Sequence, residues 1–160
     1  MKRIGLLFCL VFAAGIFSMA LGYAQNRKAT AEETKLIRDC AAKHVDDGEG
    51  EVECAFKLVA EPCIEKDGSN LGTADCYRIE RAIWDEILNE NYKDLMASID
   101  DKKVQDKLKA MQRAWIAYRD TTCGFYWDKI NGSMAVPMTA ACQLRETARR
   151  ALLLAFWQTV

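Results

Sequence analysis

Along the chain the apolar positions form one unbroken run, Ile4 to Ala20, and then a succession of stripes in which they return every three or four residues. That second period is the one expected of helices buried on a single face. Thr30 followed by Glu33 has capping-box spacing, and Leu36, Ile37, Cys40, Ala41 and His44 then share a face, which predicts a first helix to about Val45. A short helix is predicted over Val52 to Glu61, stopped by Pro62. Thr73 is placed to cap a long helix whose wide stripe comprises Ile79, Ile83, Trp84, Ile87, Leu88, Tyr92, Leu95 and Ile99, interrupted around Ser98 to Asp101. In the next helix Val104, Leu108, Met111, Trp115, Tyr118 and Thr122 alternate four and three apart, the spacing of a seam between packed helices. Asn131-Gly132-Ser133 breaks that pattern, and Pro137 falls in the first turn of a last helix running through Leu144, Ala148, Ala151 and Leu152 to Phe156. No stretch alternates with period two, and no repeat or low-complexity linker interrupts the pattern. The fold class is therefore all-α, a small helical bundle of about four to five helices with short connections.

The leading apolar run changes the compartment. Lys2 and Arg3 precede it, and Gly22 and Ala24 are spaced for cleavage before Gln25, so residues 1–24 read as a secretory signal and residues 25–160 as one domain; the alternative is an uncleaved anchor, since the run is about the length that spans a bilayer. Cys9 lies too deep in the run to serve as a lipid-attachment cysteine and leaves with the signal. Cleavage leaves 20 basic residues against 23 acidic ones, a net charge of about −3. Nucleic acid is excluded as a partner, because phosphate binding needs a basic surplus on one face. Once the signal is gone no stable membrane insertion is expected, and the destination is the periplasm or the exterior.

The six remaining cysteines, Cys40, Cys54, Cys63, Cys76, Cys123 and Cys142, are an even set in a small exported chain and read as a disulfide framework. Spacing alone leaves fifteen connectivities open. Local pairing, Cys40 with Cys54, Cys63 with Cys76 and Cys123 with Cys142, is the expectation, since each joins the ends of adjacent elements. No Cys-x-x-Cys occurs and His44 is the only histidine, so neither a metal site nor a cofactor is expected. His44 is also the only candidate base for a nucleophile, and no carboxylate pair stands out from solvated helix faces, so no catalytic residue is assigned and the chain is not read as an enzyme.

One set of positions is more specific. Cys76-Tyr77, Glu80, Trp84-Asp85, Leu88-Asn89, Tyr92 and Leu95 precede Gln112-Arg113-Ala114-Trp115, Tyr118-Arg119-Asp120 and Cys123, with Gly132-Ser133, Cys142 and Thr147-Ala148-Arg149-Arg150-Ala151 following. This arrangement, over roughly residues 63 to 157, resembles the lysozyme inhibitor LprI-like N-terminal domain family. The resemblance implies an exported, cysteine-stapled helical domain and lysozyme inhibition as its activity. The chain departs from the lipoprotein pattern in having no credible lipobox, and it adds the Cys40 and Cys54 region in front.

Gln112, Trp115, Arg119 and Cys123 lie along one side of a helix. Two readings stay open for the family-motif residues Trp84, Asp85, Asn89, Tyr92, Gln112, Trp115, Tyr118 and Arg119. In one, Trp115 packs while Gln112 and Arg119 satisfy carbonyls or carboxylates such as Asp85 or Glu86; in the other, Arg119, Tyr118 and Asn89 meet a ligand at a helix seam. Arg145, Arg149 and Arg150 form either a basic patch or favourable charges near a helix end. Phe125, Tyr126 and Trp127 either pack around the Cys123 staple or, with Asn131, Gly132 and Ser133, form a contact surface. The functional expectation is an exported binding module that inhibits a cationic lysozyme-type glycosidase by occlusion, attracted at long range by the acidic run Asp46 to Glu53. The alternative is a structural or stress-related envelope protein without lysozyme affinity, its partner another envelope or host protein.

Overall fold

The computed structural model describes residues 27–45 and 54–160. The export signal of residues 1–24 and the acidic run Asp46 to Glu53 lie outside the described residues. Five helices follow in order: α1 (Ala31–Lys43), α2 (Ala60–Ile64), α3 (Asn70–Ser98), α4 (Lys102–Ile130) and α5 (Ala135–Phe156). No strand occurs among the described residues. The all-α expectation holds.

α1 begins as its sequence dictates. Thr30 Oγ1 accepts from the Glu33 amide at 3.2 Å, and the Glu33 carboxylate accepts from the Thr30 amide at 2.8 Å, so two otherwise orphaned donors are satisfied reciprocally. Two other starts differ from expectation. The second helix begins at Ala60, after a turn over residues 54–59, and Pro62 lies inside its first turn, where a missing N–H breaks no helical bond. The third begins at Asn70 because Ser69, and not Thr73, is the cap; Ser69 Oγ accepts from the Gly72 amide at 3.0 Å. Gly72 leaves room there for the Asp67 side chain, which a Cβ would meet at 2.2 Å and displace.

Helices α3 and α5 make the most extensive contact, α4 packs on α5, and α1 and α2 pack on α3. The core between them is built from Ile37, Ile83, Trp84, Leu144, Ala148, Ala151 and Leu154, all essentially inaccessible. α4 is the exception to the seam expectation. Of its 29 residues only Leu108 and Cys123 are buried, while Val104, Met111 and Tyr118 of the predicted seam are exposed.

Cysteines pair as expected: Cys40–Cys54, Cys63–Cys76 and Cys123–Cys142, with Cα separations of 6.0, 5.7 and 5.4 Å. The last ties α4 to α5 across the Asn131–Ser133 turn, closing 19 residues of sequence. Cys123→Ala with Cys142→Ala is expected to cost about 3 kcal/mol by loop-closure entropy. Urea unfolding of the oxidised double variant measures it, and an unchanged midpoint would mean that α4 is held by packing alone.

Candidate functional site

The family-motif residues Trp84, Asp85, Asn89 and Tyr92 lie on α3 and Gln112, Trp115, Tyr118 and Arg119 on α4, where Gln112 and Trp115 meet a partner on α5 that the spacing did not reveal. Arg150, on α5, is buried, and its Nε donates to Gln112 Oε1 at 2.9 Å. Its guanidinium carbon lies 5.8 Å from the Trp115 ring centre and 5.2 Å from that of Trp157. Arg119 covers Trp115 as well, at 4.9 Å. The result is an alternating stack of Arg119, Trp115, Arg150 and Trp157, in which each cation meets the negative face of an indole. Among the described residues Arg150 Nη2 finds no hydrogen-bond acceptor, so the two rings provide the compensation a carboxylate would normally supply. Burial pulls the Arg150 guanidinium below its ordinary value.

Several expectations change accordingly. Gln112 and Arg119 do not bond Asp85 or Glu86: Gln112 accepts from Arg150, and Arg119 donates to its neighbour Asp120 at 2.9 Å. Asn89 donates to Asp85 on its own helix, to the backbone oxygen at 2.8 Å and to the carboxylate at 3.2 Å. Tyr118 is exposed, and Arg119 and Asn89 hydrogen-bond to Asp120 and Asp85, so no contact among the described residues joins Arg119, Tyr118 and Asn89. Trp84 is fully buried and Tyr92 packs against the same core. There is no basic patch either, because Arg150 is enclosed, Arg149 pairs with Glu146 and Arg145 lies over Phe56 at 5.6 Å.

Glu80, one of the motif positions whose role pattern reading does not reveal, is a key residue. It sits in the α3 core face, fully buried, and accepts from the amides of Phe56 and Ala60, each at 2.8 Å, and from Trp84 Nε1 at 3.3 Å. It therefore caps α2 and holds Phe56 in a left-handed backbone, φ 80°, that a phenylalanine rarely adopts. Burial raises Glu80 above the ordinary carboxylate range against the opposing pull of those donors. Its sequence signals were its place among the positions that carry the family resemblance and an acid between Ile79 and Ile83 within an apolar stripe. Enclosed by these donors, its carboxyl is not presented to a glycan.

His44 lies beside the Cys40–Cys54 bridge, and the imidazole and both sulfurs fall within 4.8 Å of one another. With both sulfurs in the disulfide, only the imidazole keeps a donor for a metal. A groove between the amino-terminal segment and α3, of about 590 Å³, mixes Arg27, Lys28 and Arg78 with Asp75 and Glu86 and has no dominant charge.

The aromatic trio also divides. Residues two apart on a helix do not face each other, and Phe125 and Trp127, 60% and 51% exposed, lie on different sides of α4 with Tyr126 half-buried between them. Core packing around the staple is therefore not the role of Phe125 or Trp127. Trp127 belongs with the turn that follows, where Asn131 ends α4 in the left-handed region, φ 48°, and its amide donates to the Trp127 carbonyl at 3.2 Å. Ser133 Oγ accepts from Asn70 Nδ2 at 3.0 Å, tying that turn to the start of α3. Leu71, Trp127, Met134 and Met138 are all exposed at this end of the bundle.

Among the described residues no helix is long and apolar enough to cross a membrane. Neither the curated proteins nor the solved structures include a match to this chain. A family model, lysozyme inhibitor LprI, matches residues 63–154, which hold Arg119, Trp115 and Arg150 of the arginine–tryptophan stack, Glu80 and the stapled α4–α5 turn, and the chain belongs to that family.

Proposed function

We propose that this protein is an exported inhibitor that occludes a lysozyme-type glycosidase with the end of the bundle around Asn131, Gly132 and Ser133. The observation that carries the reading is the group of exposed large apolar side chains at that end, Leu71, Trp127, Met134 and Met138, within the segment that matches a lysozyme inhibitor family. Exposed apolar side chains grouped on a small protein favour a contact surface, since water gains from their removal. The Cys123–Cys142 bridge and the Asn70–Ser133 hydrogen bond restrain the turn, which reduces the ordering cost of binding. The acidic residues Asp46, Asp47, Glu49, Glu51 and Glu53, outside the described residues, provide long-range attraction for a cationic enzyme.

Two measurements test this. Lysis of bacterial cell walls by several lysozymes is expected to slow in a molar excess of the protein, and Trp127→Ser with Met134→Ser to abolish the effect while the far-ultraviolet circular dichroism is unchanged. Added salt is expected to slow association, because such attraction is screened over about 8 Å at physiological ionic strength. Full lytic activity for every lysozyme at low salt would overturn the reading and leave a structural envelope role as the better account.

A further inference from the structure

Among the described residues no other helix covers the outer face of α4, yet it is not patterned like a solvated surface. Lys107, Ala110, Ala114, Ala117, Thr121, Gly124 and Asp128 recur three and four apart, the spacing of a helix–helix seam, and Met111, Tyr118 and Phe125 border them at seven-residue intervals. All are exposed except Gly124, which is half-buried and above which a Cβ would meet nothing within 4 Å. Between Lys107 and Asp128 this band carries no charged residue, over about 30 Å of helix. Neither Lys107 nor Asp128 has an ion-pair partner among the described residues.

We propose that this face pairs with a second copy of itself, α4 against α4 in antiparallel order about a twofold axis near Ala117 and Tyr118. The face is self-complementary in that register and in that direction. Setting Lys107 of one protomer opposite Asp128 of its partner brings opposite charges together at both ends. Ala110 then meets Phe125, Met111 meets Gly124, Ala114 meets Thr121 and Ala117 meets Tyr118, so that most large side chains fall against small ones. A twofold interface makes each of these contacts twice, which is why a face complementary to itself is enough. A parallel pair would place Lys107 on Lys107, Asp128 on Asp128 and Phe125 on Phe125. Trp127 and Met134 lie off the band, so this pairing is independent of the glycosidase reading.

Sedimentation of the oxidised exported chain across a range of concentrations tests the proposal. The expected result is a monomer–dimer equilibrium that shifts to dimer at high micromolar protein. Ala114→Arg, at an exposed position with room for the side chain in the monomer, is expected to leave only monomer with unchanged helicity. Lys107→Glu is expected to weaken the dimer, and Lys107→Glu combined with Asp128→Lys to restore it, a rescue that a folding defect would not produce. A wild-type chain that stays monomeric throughout would overturn self-pairing. A dimer that survives Ala114→Arg, or a double swap that restores nothing, would overturn the antiparallel α4 register.

Discussion

Trp84→Ala is expected to lower the unfolding free energy by about 3–5 kcal/mol, the range for deleting a fully buried large aromatic side chain. Trp84 has no accessible surface, and it lies in the core cluster together with Ile83, Leu88 and Leu144. Its removal leaves a cavity that surrounding helices fill only in part, since the packed α3–α5 interface resists collapse. It also deprives Glu80 of one of its three donors. Denaturant unfolding followed by circular dichroism measures the effect. Trp115→Ala should cost less, because that ring is only partly buried and its stacking partners Arg119 and Arg150 can rehydrate in part. Equal losses for the two tryptophans would mean that the arginine–tryptophan stack, not the α3–α5 interface, dominates stability.

Glu80→Ala is expected to cost on the order of 4 kcal/mol, because two backbone N–H groups and an indole N–H lose their acceptor, at about 1–3 kcal/mol for each buried group left unsatisfied. The loss is not additive with that of Trp84, since the two side chains touch, and a double-mutant cycle should show coupling between them. The pH dependence has a definite sign. Because burial raises the folded-state value of Glu80, its contribution to stability is fully present when the carboxyl is protonated, below its unfolded value of about 4.3, and declines as pH rises through the folded value. Glu80→Gln does not titrate, so its penalty relative to the wild type should be largest in acid and shrink toward neutral pH. Exposed carboxylates held low by partners, such as Glu90 beside Arg38, lose their contribution in the opposite direction, as pH falls. Comparing the two chains at each pH cancels those surface groups. A penalty that grows with pH would mean that the three donors outweigh burial and hold Glu80 ionised.

Periodicity and turn chemistry were sufficient for what depends on near neighbours. The helix count, the Thr30–Glu33 capping box, the breaks at Ile99–Asp101 and Asn131–Ser133 and the local cysteine pairs all follow from residues close together in sequence, where geometry leaves few alternatives. The starts of α2 and α3 were misplaced because several residues could cap or stop each helix, and the choice rested on contacts with α3 and with Asp67. Periodicity also marks a face as apolar without saying whether anything covers it. The stripe on α3 became the core, while much of the similar stripe on α4 remains open. Likewise a buried arginine looks no different in sequence from an exposed one. Only the approach of α4, α5 and the carboxyl-terminal Trp157 encloses Arg150 between two indoles, and only the fold of residues 54–60 over α3 gives Glu80 its three donors. Most of those interactions join residues 20 to 35 positions apart, the Glu80–Trp84 and Arg150–Trp157 contacts being the local ones, and a local pattern carries no information about which distant group will arrive.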